Sequence, residues 1–260
     1  MAEVAAVSMD AVAEFCLRLG DDRLILGHRL SEWCGHGPIL EEDIALANVA
    51  LDLLGQANRA LELAAEAEAR GRSADDLAFF RETVQFRNIQ LVELPRGDFA
   101  FTIARQFFFD AFSVHLMDAL QQSTHAGVAE LAAKAVKEER YHIRHSAEWM
   151  VKLGDGTEES RARLQSAVNE LWRFTGEMFQ GDRWDEEAGA AGIAPEAAGP
   201  AALKSKWDEV VNDVFARATL TRPADEFFVR GGRGGLHTEH LGHLLAEMQI
   251  VARSHPGAKW

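Results

Sequence analysis

The chain has 260 residues, 47% apolar and 26% charged, a balance typical of globular proteins that excludes wholesale disorder, a collagen-like repeat and a disulfide scaffold. With 41 acids against 27 bases it carries a formal charge of −14 at pH 7, a sign that disfavours binding to phosphate backbones, so nucleic acid is not expected as a partner. The start, MAEVAAVSMDAVAEF, lacks the basic-then-apolar order of a secretory signal, and no run reaches the ~18 apolar residues of a membrane span. The two cysteines, Cys16 and Cys34, form no paired motif, and the expectation is a cytoplasmic protein with reduced thiols.

All six prolines (Pro38, Pro95, Pro195, Pro200, Pro223 and Pro256) fall between periodic segments, and the long proline-free stretches predict an almost entirely α fold. A first helix is expected over 9–34, with Val12, Phe15, Leu19, Leu26, Leu30 and Trp33 at helical spacing. A second, over 40–70, opens on Glu41, Glu42 and Asp43, which favour a helix N-terminus. A short helix at 75–93 follows, then long helices over 99–122 and 127–153. Further helices are expected at 157–180, 202–219 and 237–253, with an acidic, Ala/Gly-rich connection at 181–200 and a turn at Gly231–Gly235. Two helical hairpins, 9–70 and 99–153, supply a four-helix bundle, with 75–93 as the crossover and 157–253 as appended helices, all within one domain spanning 1–260.

The inward stripe of each long helix carries an acid. Helix one reads Leu19, Asp22, Leu26; helix two reads Val49, Asp52, Gln56; helix three reads Gln106, Asp110, Ser113; helix four reads Ala135, Glu139, His142, Ser146. Counted from their turns, Asp22, Asp52, Asp110 and Glu139 lie at one height, and the two hairpins superpose with steps of 88 for Asp22 to Asp110 and 87 for Asp52 to Glu139. Four buried carboxylates require a counter-charge, because desolvation costs several kcal/mol per ion. A pair of metals supplies it where two helices each give one acid and two each give Glu-x-x-His. Glu139 and His142 form that motif once. At the equivalent place the chain reads Asp52-Leu53-Leu54-Gly55, so Gly55 stands where a histidine is needed. The layer reads as a vestigial di-iron site, Asp22, Asp52, Asp110, Glu139 and His142, with no metal expected, against the alternatives of a site that still holds one metal and of a working pair. Arg23, Arg59, Arg105 and Lys137 lie near enough in sequence to neutralise it. Gly55 is expected to persist for packing or close helix approach.

Five runs carry a family resemblance: LGDDRLILGHRLSEWCGHGPILEEDIALANVALDLLGQANR (19–59), LPRGDFAFTIARQFFFDAF (94–112), KEERYHIRHSAEW (137–149), LWRFTGEMF (171–179) and GGRGGLHTEHLGHLLAEMQ (231–249). Together they resemble the C-subunit family of bacterial phenylacetyl-CoA epoxidases, ring 1,2-monooxygenases of aerobic phenylacetate breakdown. The resemblance implies a ferritin-like fold and a non-catalytic structural subunit that supports a homologous di-iron catalytic subunit. A small accessory subunit and a flavin/iron–sulfur reductase would complete the complex. It implies no cofactor in this chain and di-iron in the partner. An independently active di-iron oxygenase and a ferritin-like iron-binding protein are the alternatives, and Gly55 counts against both.

Other features suggest less. His237, His240 and His243, with Glu239 and Glu247 nearby, are more consistent with packed or interfacial histidines than with zinc ligands. Gly231–Gly235, near Arg222 and Arg230, offers backbone N–H groups that could cradle an anion, but no strand precedes it. Phe107, Phe108, Phe109 and Phe112 cover several faces of helix three, which predicts packing on the bundle within and on a partner subunit without.

Overall fold

The computed structural model describes residues 2–258, with side chains described from Asp10 onward. In chain order the helices are α1 (Ala2–Ser31), α2 (Leu40–Glu68), α3 (Ala74–Phe79), α4 (Gln90–Glu93), α5 (Phe99–Leu120), α6 (Ala126–Gly154), α7 (Glu158–Thr175), α8 (Arg183–Ala190), α9 (Pro200–Arg217) and α10 (Glu239–Ser254). No strand occurs among the described residues, and none of their helices is long and apolar enough to cross a membrane. The hairpins α1–α2 and α5–α6 pack together as an all-α, ferritin-like four-helix bundle, and α7 to α10 wrap it.

The apolar stripes bury as the periodicity requires: Leu19, Leu26 and Leu30 from α1, Val49 and Leu53 from α2, Ile103 and Met117 from α5, and Ala132 and Ala135 from α6. Local chemistry sets the ends. Asp98 starts α5 by accepting from the Phe101 N–H at 2.9 Å, and Thr157 starts α7 by accepting from the Ser160 N–H at 3.1 Å.

Three segments differ from the sequence expectation. The crossover is not one helix over 75–93: α3 ends at Phe79, and residues 80–89 form a strap, irregular except for a 3-10 turn at Thr83–Gln85, before the single turn of α4. Carboxylates capture N–H groups that a helix would spend internally. The Arg87 N–H donates to Asp21 at 2.7 Å, the Ile89 N–H to Asp22 at 2.9 Å and the Gln90 N–H to Glu177 at 2.8 Å. Buried Arg81 clamps the same strap by a two-pronged pair with Asp21. Within the expected connection at 181–200, Asp182 caps a further helix, α8, by accepting from the Trp184 N–H at 2.9 Å, while Asp185 accepts from the Asp182 N–H.

The third difference concerns α5. The expected outward contact with a partner is made instead by this chain's own C-terminal half, which covers Phe108 and Phe112. Phe108 lies 5.7 Å from Trp172 of α7, and 5.8 and 6.2 Å from Trp207 and Phe215 of α9, ring centre to ring centre. Phe112 meets Phe179 edge-on at 5.8 Å, and the Trp207 indole N–H donates to the Phe108 carbonyl at 2.9 Å. Trp33 and Trp172 are buried in the core and Trp149 packs against it half-buried.

The glycine-rich turn Gly231–Gly235 does bind an anion, but an internal one. The Gly231 and Gly232 N–H groups donate to Glu177 at 3.0 and 2.6 Å. A Cβ at 232 would run into the Asn88 carbonyl oxygen of the strap. Gly232→Ala is therefore expected to destabilise the chain by about 1–3 kcal/mol, as overpacking does, measured as a lowered midpoint in urea.

Candidate functional site

The polar layer lies midway along the bundle. Asp110, Glu139 and His142 come together there, each fully or almost fully buried, with one donor atom from each lying within 4.8 Å of the others. The Asp110 carboxylate accepts from the Gln106 amide at 2.6 Å and the Ser146 hydroxyl at 2.7 Å. His142 faces two acids. Its Nε2 donates to Asp52 at 3.1 Å, and its Nδ1 lies 3.7 Å from Glu139. Asp52, with 37% of its side chain exposed, forms the outer edge of the layer.

Helix α1 contributes a base instead of the expected acid. Asp22 is turned away from the layer and grips Arg233 through two bonds of 2.9 and 2.7 Å. Its neighbour Arg23 points inward, 1% exposed. The Arg23 guanidinium donates to Gln56 of α2 at 2.7 Å, to Ser113 of α5 at 2.7 Å and to the Leu19 carbonyl at 3.3 Å, and lies 3.8 Å from Glu139 of α6. The other candidate counter-ions serve elsewhere. Arg59 pairs with Glu62, and Arg105 donates to the carbonyls of Leu94 and Pro95. No ion pair is formed by Lys137 among the described residues.

Gly55 does not face the layer. It is exposed on the outer side of α2, and a Cβ there would meet nothing within 4 Å, so neither packing nor close approach explains it. The inward neighbour is Gln56, which links Arg23 to Glu138 of α6. The residues present do not fit a pair of metals: one Glu-x-x-His half remains, the other lacks its imidazole, and a guanidinium occupies the α1 position.

Burial and charge set the protonation of the layer. Burial lowers His142, but its bond to Asp52 and the nearby negative charges of Glu139 and Asp110 outweigh this and raise it to about 10. Burial tends to raise Glu139, yet His142 and Arg23 hold it below the ordinary carboxylate value. Burial pushes Asp110 up to about 7, with His142 opposing. At neutral pH the layer thus holds the Arg23 guanidinium and an imidazolium against Glu139 and a partly protonated Asp110.

The histidine trio does not assemble. His237 precedes α10, is buried in side chain and bonds Glu93 at 2.8 Å and the Phe86 carbonyl at 3.1 Å, which fastens the strap to the C-terminal segment. Both cysteines are free thiols, Cys16 buried and Cys34 exposed.

The chain matches the phenylacetic acid catabolic proteins over residues 2–260. The chain belongs to this family. It is 48% identical over 252 residues to the C subunit of the 1,2-phenylacetyl-CoA epoxidase of Escherichia coli strain K12, across 97% of this chain and 100% of that protein.

Two outcomes follow from the geometry. Because the folded pKa of His142 is raised from 6.5 to about 10, its contribution to stability is complete below 6.5 and is lost as pH rises through about 10. Asp110, raised from 3.8 to about 7, contributes in the same sense at lower pH, its stabilisation being lost as pH rises through about 7. Thermal melts are expected to fall between pH 6.5 and 10, and His142→Gln is expected to flatten that slope. Gly55→Ala, in an open helical site, is expected to stabilise by about 0.4–1 kcal/mol in equilibrium unfolding.

Proposed function

We propose that this chain is the non-catalytic structural subunit of a phenylacetyl-CoA epoxidase complex, acting in the cytoplasm in aerobic phenylacetate catabolism. It supports a homologous catalytic subunit that holds the di-iron centre, alongside a small accessory subunit and a flavin/iron–sulfur reductase. The observation that carries the reading is Arg23 in the layer, where a metal-binding helix would present a carboxylate. End-to-end similarity to an epoxidase subunit supports the choice of complex. The chain itself is expected to bind no iron, and the layer, Asp52, Asp110, Glu139 and His142, is vestigial.

The outer face of α2 offers a surface for the catalytic partner. Leu40, Ile44 and Leu51 stand 71%, 52% and 66% exposed at spacings that place them on one helix face. On the neighbouring α6, exposed Tyr141 stacks on His145, which bonds Glu42 of α2 at 2.8 Å. Exposed apolar side chains gathered along one face mark a contact surface.

Co-purification with the catalytic subunit, followed by iron analysis of each separated polypeptide, tests the proposal. Iron is expected in the partner alone, and turnover only when both are present. Two irons in this chain, or epoxidation by it without the partner, would refute it. Leu51→Glu is expected to weaken the complex by about tenfold or more, read by titration, while the melting profile of the chain stays unchanged.

A further inference from the structure

The four helices of the bundle meet at a single guanidinium. Arg23 belongs to α1, donates to Gln56 on α2 and Ser113 on α5, and faces Glu139 on α6. A cation bound between the helices would tie the same elements together. Beside it, four buried polar atoms have no hydrogen-bond partner: both carboxylate oxygens of Glu139, Nδ1 of His142 and the amide oxygen of Gln106. Glu139 and His142 belong, with Asp110, to the cluster whose donor atoms lie within 4.8 Å of one another. Two carboxylates and an imidazole suit a divalent cation of intermediate hardness such as Mn(II), Fe(II) or Zn(II).

We propose that Arg23 is a tethered stand-in for a metal cation, and that its side chain closes a latent one-cation site formed by Asp110, Glu139 and His142. The guanidinium supplies positive charge where the carboxylates need it, so the layer is stable without metal. It also repels a divalent ion brought to Glu139, because its Nη2 is only 3.8 Å from that carboxylate. Removal of the guanidinium leaves Glu139 and Asp110 with only the His142 imidazolium as counter-charge, and a divalent ion that takes the place of the imidazolium proton then becomes the available remedy. This deepens the structural-subunit reading and rests on it, but it concerns the full chain by itself, so its failure leaves complex formation untouched.

The test is Mn(II) binding and thermal stability of the full chain, with wild type, Arg23→Gln, Arg23→Lys and the double variant Arg23→Gln/His142→Ala compared. Wild type and Arg23→Lys are expected to fold without metal and to gain nothing from Mn(II) beyond the background set by the double variant. Arg23→Gln is expected to melt about 6 °C or more lower in chelator, to bind one Mn(II) about tenfold or more tighter than wild type, and to recover stability on binding. Mn(II) should appear in its paramagnetic resonance spectrum as a bound, saturable species that the double variant lacks. The proposal fails if wild type binds Mn(II) as tightly as Arg23→Gln, or if Arg23→Gln binds no more than wild type. It also fails if Arg23→Gln does not fold either with or without Mn(II), since a cation would then not replace the side chain.

Discussion

Charge neutrality in a dry place governs this molecule. Bundle helices that carry Asp110 and Glu139 into the core are stabilised by a positive charge among them, because burial of an unpaired carboxylate costs several kcal/mol against a domain margin of about 5–15 kcal/mol. Here the charge is delivered by Arg23 and by the imidazolium of His142. Both are part of the polypeptide, so folding itself brings positive charge into the core.

A second set of acids works outside the layer. Asp21, Asp22, Glu93 and Glu177 are buried, and each holds backbone N–H groups or cationic side chains of the strap and the C-terminal segment. The strap therefore does not depend on its own weak helical tendency. Hydrogen bonds to charged acceptors, at roughly 1.5–3 kcal/mol each, fix an irregular path along α1.

The helices and their inward faces are legible in the sequence because period 3.6 and proline placement speak for themselves over long segments. Asp110, Glu139, His142 and Asp52 meet as their spacing from the turns requires. On α1 the sequence reading lands one residue off. Asp22 and Arg23 lie about 100° apart on the helix, and both border the apolar stripe, so hydropathy does not choose between them. The hairpin steps do choose: Asp52 to Glu139 spans 87 residues, and an equal step from Asp110 reaches Arg23 instead of Asp22. The strap and α8 are not legible, because the bonds that shape one and the cap that starts the other depend on residues that periodicity treats as background. The fate of α5's phenylalanines depends on which partner covers them, and the chain's own α7 and α9 arrive from residues far downstream.

That last dependence has a consequence for biosynthesis. The crossover over residues 74–93 is held by Arg233, His237 and Gln249, which bond Asp22 and the Arg87 carbonyl, Glu93, and the carbonyls of Ala78 and Arg81. On the ribosome the first hairpin and its crossover emerge long before these fasteners exist. The crossover therefore lacks these fasteners until residues 233–249 have been made, and that later stretch acts as its latch.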